Sequence, residues 1–401
     1  MQDAQIIERH GGEILGALAQ QPPDPLLALI RAFRSDPRAD KIDVGVGVYR
    51  DDQGRTPVFR AVKEAERRLV AEQETKAYVG AEGDIGFFDA LKPIIFGDAG
   101  YDDRLSGLQT VGGTGALRVA AELIARARPG ARICVGNPTW PNHPPILRAA
   151  GLTIMGYEHV DLVTQRLSID RLFEALDQAA PGDVALLHGC CHNPTGADFD
   201  IGQWTAIAER LRDRGVFPLI DFAYQGLGDG LEQDAAGLRR VLDIVGEGLV
   251  AYSCDKNFGL YRERVGAIYA LSASGAQARI VQSNLLSLTR ANWSMPPDHG
   301  AAIVRIVLED AALTADWRVE LAEMERRIKQ MRAMLAAADP ALAPLAAQRG
   351  MFSTLPLTAG EVERLREAHG IYMPSSARIN VLGLMPETVA PFVAALASLR
   401  R

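Results

Sequence analysis

From about residue 57 to residue 275 the chain alternates two patterns of apolar and polar positions. Arg60 to Glu72 and Ala116 to Ala127 carry the spacing of amphipathic helices. After them come short, continuously apolar runs: Arg132 to Val135, Val184 to Leu187, Val216 to Ile220, Leu249 to Tyr252 and Val265 to Tyr269. Helical segments at Ile201–Arg214 and Gly237–Val245 separate several of these runs. Strands without polar alternation, set between helices, predict a mostly parallel sheet covered on both faces. The expected fold class is α/β.

The C-terminal part changes character. Trp317 to Ala338 places Leu321, Met324, Ile328, Met331 and Leu335 at alternating steps of three and four, with charges between them. That spacing predicts a long helix with one buried stripe. Beyond Pro340, short strand-like pieces mix with helices at about 359–369 and 386–399, which suggests a smaller second domain. Gln21-Pro22-Pro23-Asp24-Pro25 marks an entry segment, and the chain shows no internal repeat or low-complexity tract.

Composition narrows the function classes. At ~150 residues per domain, 401 residues suggest two or three domains. With 48% hydrophobic and 23% charged residues, the chain is not mostly disordered. The net charge of −7, from 43 basic and 50 acidic residues, offers no basic stripe for nucleic acid. A local basic pocket for a small anion stays open, because net charge says nothing about clefts. No uncharged apolar run approaches the ~18–20 residues of a membrane span. Asp3, Glu8, Arg9 and Glu13 interrupt any signal-peptide core. Four cysteines (Cys134, Cys190, Cys191, Cys254) are too few for a disulfide scaffold, so a cytoplasmic location is expected.

Ligands of open α/β sheets bind beyond the carboxyl ends of the strands, so the residues after each apolar run matter most. Leu108 to Val111 leads into Gly112-Gly113-Thr114-Gly115, opening a helix. Such a turn cradles phosphate through free N–H groups and the helix dipole, although it equally suits a plain tight turn. It fits neither the dinucleotide glycine fingerprint nor a P-loop. Cys134-Val135 leads into Asn137-Pro138-Thr139-Trp140-Pro141-Asn142-His143, whose prolines could present Trp140 to a planar ring. Packing in the core is the plain alternative for that Trp. Leu187 leads into His188 to Gly196, where Cys190, Cys191 and the histidines match no standard zinc spacing. No metal is expected there, and Asn193 is instead a donor to a ligand oxygen. Ile220 leads into Asp221-Phe222-Ala223-Tyr224, and a carboxylate there needs a cation or a strong donor unless it merely caps a helix. Tyr252 leads into Ser253-Cys254-Asp255-Lys256, then Arg264, and a buried Lys256 would make a Schiff-base amine. Together these signals describe one ligand, pyridoxal phosphate, whose protein signature is a lysine paired with an acid for the pyridine nitrogen.

On these stretches, with Val46-Gly47-Val48-Tyr49 and Lys256 to Gly266, the sequence resembles class I aminotransferases of the aspartate/aromatic subgroup, from about Pro22 onward. The resemblance implies a fold-type-I pyridoxal-phosphate transferase. Its large domain would span 57–317, and a small α+β domain would join 1–56 to 318–401. It implies Lys256 as the cofactor-bonding lysine and proton carrier. Asp221 would face the ring nitrogen with His143 behind it, Tyr224 and Asn193 would face the ring oxygen, and Trp140 would stack on the ring. Gly113, Thr114, Ser253 and Arg264 would hold the phosphate, with Tyr78 reaching it from a neighbouring subunit. Arg378, Asn193 and Gly47 would hold the substrate α-carboxylate. Arg290 would bind a distal carboxylate from the other subunit, which implies a homodimer with shared sites.

The chain also departs from that pattern. Asp255 stands where many relatives carry a serine near the phosphate; an anion there would repel phosphate unless turned away or paired, so it is set outside the site. Ala77 and Met295 make the side-chain pocket more apolar, whereas Arg50 and Thr56 look more like the aspartate pattern. The expectation leans toward a ping-pong transaminase moving the amino group of aromatic amino acids, as well as dicarboxylates, to 2-oxoglutarate. Strict aspartate specificity, or a β-lyase or decarboxylase on the same fold, is the alternative. The first ~14 residues receive no role, a DNA-binding regulator would need a basic segment ahead of the domain, and a nicotinamide dehydrogenase would need the missing glycine fingerprint.

Overall fold

The computed structural model describes residues 15–400 except 22, 24, 100 and 102; the early charges and parts of the Pro-rich entry lie outside the described residues. Seven strands form the central sheet: β1 (Leu105–Val111), β2 (Arg132–Asn137), β3 (Thr153–Glu158), β4 (Val184–His188), β5 (Phe217–Phe222), β6 (Gly248–Ser253) and β7 (Val265–Leu271). Their order is β1-β7-β6-β5-β4-β2-β3. Pairings between β6, β5, β4, β2 and β3 are parallel, and β7 runs antiparallel to both its neighbours. Apolar clusters cover both faces, which is why these strands read as continuous apolar runs.

The reversed strand matters for the site. Val265 pairs with Val111 and Gly266 with Ser253, so the start of β7 lies at the same edge as the ends of β1 and β6. Residues before β7 therefore reach the edge where the parallel strands end.

Several elements extend past their sequence-based limits, each for a packing reason. The helix whose apolar pattern runs from Ala116 begins at Gly112, in the glycine turn expected to open it, and Gly113 permits a close approach: a Cβ on it would stand 3.0 Å from the Ser253 Cβ. The helix expected from Gly237 begins at Leu231; Gly237 sits inside it because a Cβ would run into the Trp204 indole. The long C-terminal helix begins at Ala311, where the Asp310 carboxylate accepts from Ala312 and Leu313 N–H groups. Asp221, expected just after its strand, lies within β5 opposite His188.

Segments from the N-terminal and C-terminal parts of the described residues meet. Ile42–Asp43 pairs in parallel with Ile371–Tyr372, and Phe352–Thr354 pairs with Arg378–Asn380. Asn380 Nδ2 donates to the Val46 and Val48 carbonyls at 3.1 and 2.9 Å, pinning the segment around Gly47. Arg332, counted among the charges of the long helix, is buried. Its guanidinium donates to the Gly350 and Phe352 carbonyls and the Ser353 hydroxyl, locking the strand that carries Phe352. No described helix is long and apolar enough to cross a membrane.

Candidate active site

At the carboxyl edge of the sheet lies a cavity of about 270 Å³. Gly113 and Thr114, from the first turn of the helix after β1, line one end with Ser253 and Arg264. A helix's first turn leaves backbone N–H groups without partners, and its dipole favours an anion. Gly112 adopts φ 64°, and a Cβ on it would stand 2.7 Å from Arg264 Nη2, so the glycine lets the guanidinium approach the turn.

Asp255 corrects the sequence reading. It lines this cavity rather than standing outside it, because its carboxylate meets the cation that the reading required, Arg264 Nη1. The separation of Asp255 from Arg264 along the chain does not show whether the loop turns the acid toward the arginine.

The floor is built around Asp221. Its Oδ2 is 3.0 Å from His143 Nε2, and His143 Nδ1 is 2.8 Å from Thr139 Oγ1. Burial pushes the Asp221 carboxyl up; the His143 hydrogen bond and the pull of His143, His188 and Lys256 outweigh it and hold the acid below its ordinary value. Asp221 is thus kept ionised in a place where water is scarce. His143 lies behind it, outside the cavity wall, with its ring edge-on to Trp140 at 5.2 Å.

Asn193 Nδ2 donates to the Tyr224 hydroxyl at 3.2 Å, while Asn193 Oδ1 is buried with no hydrogen-bond partner among the described residues. Burial, then the Asp221 charge, raises the Tyr224 hydroxyl far above its usual value and keeps it a neutral donor. Lys256 Nζ stands 5.1 Å from the centre of the Tyr224 ring. Burial pushes its amine below the ordinary lysine value, against Asp255 and Asp221, which pull it up. An amine so placed loses its proton more readily than one in water.

Gly47 and Arg378 also line the cavity. The Arg378 guanidinium lies 4.6 Å over the Phe352 ring and donates from Nη2 to the Gly45 carbonyl at 3.0 Å. Its Nε is buried without a partner, an unused donor on a side chain that lines the cavity.

Eleven residues expected at the site come together here: Gly47, Gly113, Thr114, Trp140, Asn193, Asp221, Tyr224, Ser253, Lys256, Arg264 and Arg378. Tyr78 and Arg290 do not line it. Tyr78 is 92% exposed, and Arg290, in the last turn of the helix Gly275–Asn292, donates to Ser294 Oγ at 2.7 Å. Tyr261 and Phe352 were missed and do line the wall. Tyr261 accepts from the Tyr49 N–H at 3.0 Å and stands between Lys256 and Arg264 in sequence, a signal available beforehand. Phe352 offered none, since its place depends on Arg332.

The sequence matches the family described as aminotransferase class I and II over residues 39–396. A tyrosine aminotransferase of Rhizobium meliloti is 53% identical over 387 residues, covering 96% of this chain and 99% of that protein. An aspartate aminotransferase of Salmonella typhi is 43% identical over 384 residues, covering 94% and 97%. Among solved structures, an aromatic-amino-acid aminotransferase from Burkholderia pseudomallei, described as covalently bound to pyridoxal phosphate, superposes with a TM-score of 0.94 at 36% identity, covering 97% of this chain and 100% of that one.

Proposed function

The chain belongs to the class I and II aminotransferases, and we propose that within them it is a pyridoxal-phosphate enzyme that moves the amino group of aromatic amino acids, and also of dicarboxylic ones, to 2-oxoglutarate. One observation carries this reading. A single cavity is lined by an anion cradle, a partly desolvated amine, an ionised acid and a guanidinium with an unused N–H.

The residues present fit the group. The glycine turn leaves the room that a Cβ would fill, and buried Asn193 Oδ1 lacks a partner at the cavity wall. Exchanging the two ends of that amide would offer a donor to a ring oxygen and an acceptor to Tyr224. When bound, pyridoxal phosphate supplies an electron-withdrawing ring that stabilises negative charge at the substrate Cα. Asp221 would hold a proton on the pyridine nitrogen, and His143 would fix the orientation of that carboxylate. Lys256 Nζ would take the Cα proton, the reason its charged form must be disfavoured. Tyr224 would donate to the ring oxygen, Trp140 would cover the ring face and exclude water, and Gly113, Thr114, Ser253 and Arg264 would hold the phosphate. Arg378 would clamp the α-carboxylate.

The exposed positions of Tyr78 and Arg290 are compatible with service in a neighbouring subunit, so the working unit in this reading is a homodimer with shared sites. The small domain is taken as 1–56 with 318–401 around the large domain 57–317. All four cysteines are free, which supports a reducing cytosol.

The aromatic lean rests on the tyrosine aminotransferase relative and on the apolar Ala77 and Met295. A second reading, strict aspartate specificity, is favoured by Arg50 and Thr56, which look more like the aspartate pattern, and by the aspartate aminotransferase relative. Steady-state kcat/KM for tyrosine, phenylalanine and aspartate with 2-oxoglutarate decides between them. Aromatic values equal to or above that for aspartate are expected. An aspartate preference above ~100-fold, roughly 2.7 kcal/mol, would reverse the lean.

A further inference from the structure

Asp255 is the one charged residue at the phosphate end of the cavity with no part in the scheme above. It is 4% exposed, yet it lines the cavity. Its Oδ2 accepts from Arg264 Nη1, and its backbone N–H donates to Ser253 Oγ at 3.3 Å. Its Oδ1 is buried with no hydrogen-bond partner among the described residues. A buried carboxylate oxygen without a donor is costly, so the site favours whatever brings one.

The titratable groups around this carboxylate are few. Arg264, from the segment before β7, is its ion-pair partner. Lys256 feels its charge but stands over the Tyr224 ring. Tyr261 and Cys254 also feel it; burial first, and Asp255 second or later, raises both above their ordinary values. A phosphate ester entering here meets an arginine already shared with an acid. A doubly ionised phosphate offers only acceptors, whereas a singly protonated one carries an O–H.

We propose that Asp255 makes this cradle a site for a phosphate ester that keeps one proton, with the phosphate O–H donating to Asp255 Oδ1 while Arg264 is shared between the two. This rests on pyridoxal phosphate being the ligand. A phosphate monoester loses its second proton near pH ~6, so binding above that pH takes one proton from solution. The consequence is a cofactor held more loosely, and exchanged more readily, as pH rises.

The test uses the full chain, freed of cofactor and titrated with pyridoxal phosphate by absorbance, as wild type, Asp255→Asn and Asp255→Ser. Pyridoxine phosphate, which lacks the aldehyde, is titrated in parallel to report the cradle without the bond to Lys256. At about pH 8.5 both variants should bind at least about tenfold more tightly than wild type, and the gap should close toward about pH 6. The ³¹P resonance of bound pyridoxine phosphate should stay at the monoanion position to higher pH in wild type than in Asp255→Asn. Equal affinities at both pH values, or a dianion signal in wild type throughout, overturns the proposal. If the variants do not fold, the wild-type resonance decides alone. If wild type binds neither ligand, the pyridoxal-phosphate reading itself has failed.

Discussion

The floor of the cavity and its mouth are built differently. At the floor, each functional side chain leans on another from the same chain: Asp221 on His143, His143 on Thr139, Asn193 on Tyr224. Asp221, His143, Asn193 and Tyr224 are all buried. Of the two residues proposed to serve a second copy, Arg290, assigned to the mouth, is exposed and bonded to a neighbour four residues away, and Tyr78, assigned to the phosphate, is almost wholly exposed. Arg378 is intermediate, stacked on Phe352 but with its Nε unused. The difference separates two tasks. Groups that hold or move protons need a fixed, dry setting, because electrostatic effects there are large and reorganisation is small. In the proposed homodimer, Arg290, the group that would choose among side chains, can be left to a surface that a second copy completes.

If that division is right, the largest loss comes from the floor. Lys256→Ala removes the only amine among the described residues lining the cavity, and transamination should fall by about 10,000-fold for every substrate. The absorbance shift on adding pyridoxal phosphate should vanish with it. Added methylamine should recover part of the rate if the missing function is a proton carrier. Turnover that survives the substitution unchanged would remove Lys256 from its role and the floor from its place in the comparison.

Arg378→Lys probes the boundary between the two regions. A lysine keeps the charge but loses the planar fork and the stacking on Phe352. One charge-assisted hydrogen bond is worth about 1.5–3 kcal/mol, so kcat/KM should drop about 10–100-fold, and by a similar factor for aromatic and dicarboxylic substrates. A loss confined to one substrate class would show that Arg378 reads the side chain rather than the carboxylate common to both.

The same contrast explains what could be read from the chain. The floor was legible because strand ends are legible: apolar runs end in Ser253, and Asp221 and Lys256 fall beside such ends. Interior charges were harder. Arg332 looked like one more charge on a long helix, and only the fold turns it inward to carry Phe352. Asp255 was set outside because its sequence neighbours do not reveal that Arg264 folds back to meet it. The helix start at Leu231 was missed because Gly237 was taken as the first residue of that helix, when it sits inside it, packed against Trp204. Nothing in one chain shows whether an exposed residue such as Arg290 works for a neighbour.

The smallest and most selective effect should therefore come from Arg290→Ala. The residue is exposed and makes one side-chain hydrogen bond in the structure, to Ser294, so stability should change little. Aromatic amino acids, which carry no distal carboxylate, should keep their rate in the first half-reaction within about threefold. Aspartate and glutamate should lose about tenfold or more in kcat/KM, the worth of an ion pair completed only at the mouth. Single-turnover absorbance measurements separate the two half-reactions. Mixing the Arg290→Ala and Lys256→Ala chains then asks which copy the arginine serves. If it reaches across, the mixed dimer has one site with Lys256 and Arg290 both intact, and dicarboxylate activity rises above the sum of the separate variants. If it serves its own chain, every site in the mixture stays damaged and no activity is regained. The mouth would then be no less a single-chain structure than the floor.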